Sequence, residues 1–126
     1  MPEVTLDYGS VIYADPLFED DTLNFAGTTT YLAGTILGRI TASGFLGPYT
    51  PGVSTGLEKP IAVLAVELSK TGAGQIPCRA LIKGVVVQER LVVHGVVGLA
   101  DFTPAVKDAL RSAGVSAVKV ADLSVI

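Results

Sequence analysis

The sequence predicts a mainly β fold, a small barrel of the clip type with one helix near its C-terminus. Three observations support this: several short apolar runs of strand length, glycine and proline between them, and a single stretch with helical periodicity. The 14 glycines and 7 prolines supply the turns that a chain of short strands needs. The length of 126 residues fits one domain.

The strongest strand pattern lies between Arg79 and His94. It contains two valine-rich runs, residues 85–87 and 92–93, and valine fits a pleated, half-buried surface. A polar break at residues 88–90 separates them. The pattern predicts two strands, or one long strand with a bend, at the centre of the domain.

Further extended segments are predicted on either side of this stretch. Residues 35–41 form one strand, and residues 61–68 form an apolar run of strand length. A glycine-containing loop follows at residues 71–74. The apolar end of the chain is also predicted to be extended, with Val125 and Ile126 paired or buried.

One helix is predicted, from Thr103 to Ala113. Thr103 can act as its N-cap, Pro104 suits the first helical position, and Gly114 follows its end. Apolar side chains recur at spacings of three and four residues, as they do on the buried face of a helix. We expect this helix to lie over one edge or end of the sheet.

Residues 1–30 have a different character and allow two interpretations. Residues 3–8 alternate polar and apolar side chains, residues 15–16 (Asp-Pro) indicate a turn, and residues 19–21 form an acidic cluster that a solvated turn explains. The segment is either an extended arm that adds a strand to a partner's sheet or the first strand of the domain's own sheet behind a frayed end.

The composition favours an assembly over a monomer. Hydrophobic residues make up 49% of the chain and charged residues only 17%, against about 25% charged in ordinary domains. A small domain with so few charges exposes apolar surface, and other chains cover such a surface best.

The charge and the hydropathy pattern argue against several partners. The net charge is −3 and the nine basic residues are scattered, which argues against nucleic-acid binding. No run of 18 apolar residues predicts a membrane span, and the N-terminus lacks the pattern of a secretory signal. One cysteine excludes an internal disulfide.

The sequence contains no catalytic or metal-binding constellation, and we expect neither enzymatic activity nor a cofactor. His94 is the single histidine and lies in an apolar run, so a structural role is favoured over a metal site. Cys78 has no histidine at a motif distance and is predicted to be a small buried hydrophobic residue. The acidic residues Glu19, Asp20 and Asp21 lack the spacing of a calcium loop.

Several segments, in order, resemble the head decoration proteins of tailed phages, the type that includes lambda protein D. These segments are residues 32–40 (LAGTILGRI), 47–49 (GPY), 56–58 (GLE), 60–65 (PIAVLA) and 79–86 (RALIKGVV), followed by Leu91, the helix and the apolar end 123–126. The resemblance covers about residues 20–126. The structural positions that match the family pattern are Gly34, Gly38, Tyr49, Gly56, Pro60 and Gly84.

The resemblance implies a β-clip or β-tulip subunit that forms homotrimers on the outer surface of the virion. Such trimers sit at local threefold positions and hold the major capsid protein against the pressure of packaged DNA. The implied domains are an N-terminal capsid-binding arm, residues 1–30, and a decoration domain, residues 31–126. We expect the apolar side chains of the arm to contact the capsid protein. These are Val4, Leu6, Tyr8 and Tyr13.

Two other functions remain open at the level of sequence. A small-ligand-binding or enzymatic β barrel would need a pocket with convergent polar groups. A structural subunit of a tail or a secretion tube would assemble into rings or tubes.

Overall fold

The computed structural model describes residues 12–50, 53–87, 90–93 and 103–118. These residues form eight strands and one helix. In chain order the elements are β1 Ile12–Phe25, β2 Thr29–Tyr31, β3 Ile36–Arg39, β4 Leu46–Pro48, β5 Ala62–Leu64, β6 Leu68–Lys70, β7 Gly74–Val87, α1 Pro104–Ala113 and β8 Val115–Val118. None of the described residues belongs to a helix that is long and apolar enough to cross a membrane.

Five strands close into a barrel. Their pairing runs β1-β4-β3-β5-β7, and β7 pairs in turn with β1. β8 adds to β7 in parallel, while β2 and β6 form a separate two-stranded antiparallel sheet. The prediction of a mainly β, small barrel with one helix is confirmed.

Three antiparallel pairings share one register. Between residues 18–37 and residues 62–81, β1 pairs with β7, β2 with β6 and β3 with β5, and in every pair the two residue numbers have the same sum. The pairs run from Phe18–Leu81 through Tyr31–Leu68 to Leu37–Ala62. The paired segments fold back at the β2–β6 sheet. As a result, β5 pairs with β7, which follows it in the same segment 62–81, as well as with β3. Each strand keeps its register because every one-residue slip would turn its buried side chains outward.

The barrel interior is filled by apolar side chains from all five strands. This interior cluster includes Leu23, Phe25, Leu37, Leu46, Leu64, Cys78 and Ala80. The rings of Phe25 and Tyr31 pack at a centroid distance of 5.0 Å, which lies in the favourable range for aromatic pairs.

A second apolar cluster covers the outer face of β3, β5 and β7. It joins Ile36, Val63 and Leu81 of these strands to side chains of α1, of β8 and of the segment 90–93. The members from those covering elements are Leu91, Val93, Val106, Leu110, Val115 and Ala117. Because both faces of the central strands are buried, their sequences read as continuous apolar runs.

The helix was predicted correctly. Thr103 is the N-cap, and its hydroxyl accepts a hydrogen bond from the backbone N–H of Val106 at 3.4 Å. Pro104 begins α1, and Gly114 ends it with φ +118°, in the left-handed region that favours glycine. Val106 and Leu110 of α1 are buried against the outer cluster.

The single strand predicted at residues 61–68 is wrong. The segment divides into β5, which belongs to the barrel, and β6, which pairs with β2. The chain turns at Val66, which is 47% exposed although it lies in the middle of the apolar run. Hydrophobicity alone does not reveal the turn, because both halves of the run are strands.

The stretch 79–94 contains the end of a longer strand. β7 begins at Gly74 and continues to Val87, and Val92 makes an isolated parallel bridge with Thr35. The sequence allowed two strands or one long strand with a bend. The described residues contain one long strand, β7, and an isolated bridge at Val92. His94 lies outside the described residues.

Within the segment 1–30, residues 12–25 form the strand β1. β1 pairs with β7 from Ile12 to Phe25, so the sheet already begins at Ile12 and Tyr13 lies within it. The Asp15–Pro16 dipeptide falls between register shifts of this pairing, and the acidic residues 19–21 are in the strand instead of a turn. Those carboxylates project from a strand because neighbouring apolar residues of β1 fill the barrel.

The remaining expectations concern residues outside those that the structure describes. These are the expectations for Val4, Leu6 and Tyr8 at the start of the chain and for Val125 and Ile126 at its end.

Candidate functional site

The matched glycines Gly38 and Gly56 fix a long loop, residues 53–61, against the barrel. A Cβ atom on Gly38 would lie 2.9 Å from both the Cα of Leu57 and the carbonyl oxygen of Lys59. The loop therefore crosses β3 at a distance that only glycine allows. Backbone hydrogen bonds hold it at both ends, from Thr41 N–H to Thr55 O at 2.9 Å and from Ile61 N–H to Leu37 O at 2.9 Å.

Gly56 is the tightest point of this loop. It has φ +110°, and a Cβ atom there would lie 2.1 Å from the carbonyl oxygen of Arg39. The carboxylate of Glu58 accepts a hydrogen bond from the Gly56 N–H at 2.8 Å. The N–H groups of Glu58 itself and of Gly56 hold the pKa of the Glu58 carboxyl below its ordinary value. Pro60, which is buried, leads the loop back into β5.

Gly34 and Gly84, two other positions of the family pattern, connect the barrel to the elements that pack on its outer face. Gly34, with φ +97°, donates to Leu64 O at 2.8 Å and accepts from Val92 N–H at 2.9 Å. Gly84, with φ +143°, donates to Gly114 O at 3.1 Å, where β8 begins. The structure thus brings Gly38, Gly56 and Pro60 together at one loop and places Gly34 and Gly84 at two separate junctions.

Tyr49 closes the outer cluster. Its N–H donates to the carbonyl oxygen of Ile36 at 2.8 Å, and its side chain is buried among the apolar residues under α1. All six matched positions therefore serve the architecture of the body.

Two large apolar side chains on neighbouring segments are about half exposed. Leu32 is 49% exposed and Val66 is 47% exposed. Tyr31 pairs with Leu68, and the Gly34 N–H donates to Leu64 O, so the two segments that carry them run antiparallel between these points. We call the two-stranded β2–β6 sheet the ribbon. We call Leu32 and Val66 the ribbon-base pair, because they lie where β2 and β6 leave the barrel.

Sequence reasoning missed the ribbon-base pair. Both residues occur in apolar surroundings that predict burial, and Val66 in particular interrupts no pattern. The length of the run 61–68 gave no indication, because eight residues lie within the ordinary range for one strand.

Both ends of the described body lie at the same end of β7. Ile12 pairs with Val86 on one edge of β7, and Val118 pairs with Val87 on the other edge. The β2–β6 ribbon follows Phe25 and precedes Gly74, which pair at the opposite end of β7. The segments before residue 12 and after residue 118 therefore join the body at one end, and the ribbon lies at the other.

Three candidate reactive side chains near one another on β1 and β7 are Cys78, Asp20 and Asp21. Burial, followed by the negative charge of Asp21, raises the pKa of the Cys78 thiol to about 11, so the thiolate that reacts as a nucleophile is scarce at neutral pH. Asp21 pairs with Arg39 at 2.9 Å, and Asp20 lies 3.3 Å from the Arg79 guanidinium. Among the described residues, no group of three or more His, Cys, Asp or Glu side chains is placed to hold a metal ion.

The described residues define a small closed β barrel with a glycine-fixed loop and several exposed apolar side chains. The family model of bacteriophage lambda head decoration protein D matches residues 8–120, and the chain belongs to this family. Head decoration proteins are structural proteins and not enzymes, and the family implies binding to the phage capsid on the virion. A comparison with curated proteins found no match.

Proposed function

We propose that this head decoration protein forms a homotrimer at local threefold positions on the outer surface of the phage capsid. There it clamps neighbouring major capsid subunits and stabilises the expanded head against the pressure of packaged DNA. The contact with the capsid protein is made by the segment that precedes the barrel, residues 1–11, with Val4, Leu6 and Tyr8 as apolar anchors. Tyr13 contributes from the start of β1.

The position of the chain ends carries this proposal. Since Ile12 and Val118 flank the same end of β7, the leading segment starts from one end of a rigid barrel. That end faces the shell in our proposal, and the β2–β6 ribbon faces away from it. Three leading segments from one trimer raise the strength of attachment through their effective concentration.

The surface of the barrel supports the trimer. The ribbon-base pair, Leu32 and Val66, is about half exposed, and a monomer gains nothing from leaving these aliphatic side chains in water. A closed ring of three copies buries such a patch against a different patch of the next copy.

The test is a variant that lacks residues 1–11, mixed with expanded shells that carry no decoration protein. We expect loss of binding, together with unchanged circular dichroism and an unchanged unfolding midpoint. The deletion must stop at residue 11, because a longer one removes β1 residues that pair with β7 and confuses binding with folding.

A matched control changes the other end of the molecule. Thr30 and Ser69 form a hydrogen bond at 2.8 Å on the exposed face of the ribbon, and the double variant Thr30→Ala/Ser69→Ala should decorate shells normally. Full occupancy of shells by the truncated protein would refute the role of the leading segment. A reconstruction of decorated shells with density away from the local threefold positions would refute the trimer's placement.

A further inference from the structure

An open apolar groove lies between the two elements that cover the outer face of the barrel. One wall is the end of the long loop, residues 58–61, and the other is the C-terminal half of α1. The helix side contributes only small side chains, Ala109, Ser112 and Ala113. The groove has a volume of about 470 Å³, about three times the cavity of about 150 Å³ that takes up one benzene molecule.

The groove lies where β5 and β8, which pair with the same edge of β7, diverge from each other. β5 pairs with β7 at Ala80 and Leu81, and β8 pairs with it from Gly84 onward. The two strands run away from each other, so the positions between them on β7 have no strand neighbour on this edge among the described residues. The gap opens where β5 and β8 begin, beside Ile61 and Ala113.

We propose that the chain's own last residues, 119–126, fold back and fill this groove with the side chains of Leu123, Val125 and Ile126. The segment carries these three aliphatic side chains within its last four residues. This segment follows directly after β8, which ends at Val118. The small side chains of the helix wall, together with Pro60 and Ile61 on the other wall, leave apolar surface for aliphatic side chains, while Glu58 and Lys59 lie on the loop side of the groove.

The segment is long enough to reach the groove. β8 runs from Val115, next to the groove wall, to Val118, and the return from Val118 to Gly114 covers about 13 Å. The eight residues of the segment span at most about 26–29 Å when extended. A tight turn of two residues therefore leaves enough chain to bring Val125 back beside Ala113.

The tether decides between this occupant and the end of a second copy. A segment attached about 13 Å from its site has a local concentration in the millimolar range. A free chain at micromolar concentration does not compete with it, and the end of a trimer partner is distinguished by whether the cross-link described below forms within one chain or between chains.

A disulfide cross-link tests the proposal. In a Cys78→Ala background, Ala113→Cys and Val125→Cys are introduced together, and the protein is oxidised and analysed by mass spectrometry without reduction. We expect most of the protein to be cross-linked within one chain. The matched control pairs Val125→Cys with Ser69→Cys on the distal ribbon and should cross-link at least tenfold less.

Hydrogen exchange provides a second test that needs no cysteine. Ser112→Trp places a large ring in the groove, and we expect at least tenfold faster exchange of the backbone N–H groups of residues 120–126. Exchange in β7 should stay unchanged, which verifies the fold. A cross-link no stronger than the control, a cross-link mainly between chains, or exchange of the last residues that does not respond to Ser112→Trp would each overturn the proposal.

Discussion

The guanidinium of Arg39 donates a hydrogen bond to a carboxylate oxygen of Asp21 at 2.9 Å and another to the carbonyl oxygen of Gly44 at 2.7 Å. Arg39 lies on β3 and Asp21 on β1, and β4 runs between these strands. Leu46 of β4 pairs with Leu23 on one side and with Arg39 on the other. The ion pair therefore connects β1 to β3 across β4, at the place where β1 and β4 share a single residue pair.

This ion pair predicts a loss of stability in acid. Burial raises the pKa of Asp21, but the hydrogen bonds from Arg39 and from the Thr22 N–H and the charge of Arg39 outweigh it, so the pKa lies below the ordinary value of 3.8. A carboxyl whose pKa is lowered by folding stabilises the protein above its unfolded pKa, and this contribution disappears as the pH falls through the folded pKa.

For Asp21→Asn we expect a loss of about 0.5–1 kcal/mol at pH 7, since the pair is partly exposed and solvent screens it. The loss should shrink as the pH falls below the unfolded pKa and through the lowered pKa of the folded protein. Urea unfolding at pH 7 and pH 2 measures both values. Arg39→Met also removes the hydrogen bond to the Gly44 carbonyl oxygen, so it should cost more at pH 7 but lose the same pH-dependent part. An equal loss for Asp21→Asn at both pH values would show that the carboxylate charge does not matter.

The lack of space for a Cβ atom at Gly56 predicts that Gly56→Ala strongly lowers the stability of the protein. Gly56→Ala places a Cβ 2.1 Å from the Arg39 carbonyl oxygen at φ +110°, so the loop must shift and the backbone is strained. We expect destabilisation of roughly 3 kcal/mol or more, measured by chemical denaturation.

Gly27→Ala is the matched control for Gly56→Ala. Nothing lies within 4 Å of a Cβ atom at Gly27, and its φ is outside the left-handed region. The control should be neutral or slightly stabilising, by about 0.4–1 kcal/mol. Similar effects of the two substitutions would mean that the loop does not depend on Gly56.

The pKa of Cys78 predicts a thiol that does not react in the folded protein. With a pKa raised to about 11 by burial and by the charge of Asp21, about one thiol in a thousand is ionised at pH 8. We expect a disulfide reagent to modify Cys78 at pH 8 only at the rate of unfolding. A Cys78→Ala/Ser69→Cys variant, with its thiol on the exposed ribbon, should react at least a hundredfold faster, and equal rates would contradict the buried position.

The ribbon-base pair predicts the oligomeric state of two matched variants. Under the proposed trimer, Leu32→Asp/Val66→Asp should convert a particle of three chains into one of 13.0 kDa, because burying two carboxylates without partners costs several kcal/mol. Leu17→Asp alters a leucine that is 53% exposed at another position and should leave the trimer intact. Sedimentation velocity distinguishes these results, and a trimer that survives both changes would place the interface elsewhere.

Local chemistry made parts of the fold predictable. Thr103, Pro104 and Gly114 act through their own caps and dihedral angles, so their pattern defined α1 to the residue. The burial of Cys78 also followed from its surroundings in the chain. The β1 strand was one of two open interpretations, because an alternating segment fits its own sheet and a partner's sheet equally well.

The sequence by itself determined the class: short strands, glycine-rich turns, one capped helix and few charges specify a small barrel suited to contacts with other chains. Only the tertiary structure decided that the three antiparallel pairings between residues 18–37 and 62–81 share one register. It also decided that Val66 is exposed and that Asp21 reaches Arg39. The physical reason is that caps and turns act over a few neighbouring residues, whereas register, closure and exposure depend on which distant strands share an edge.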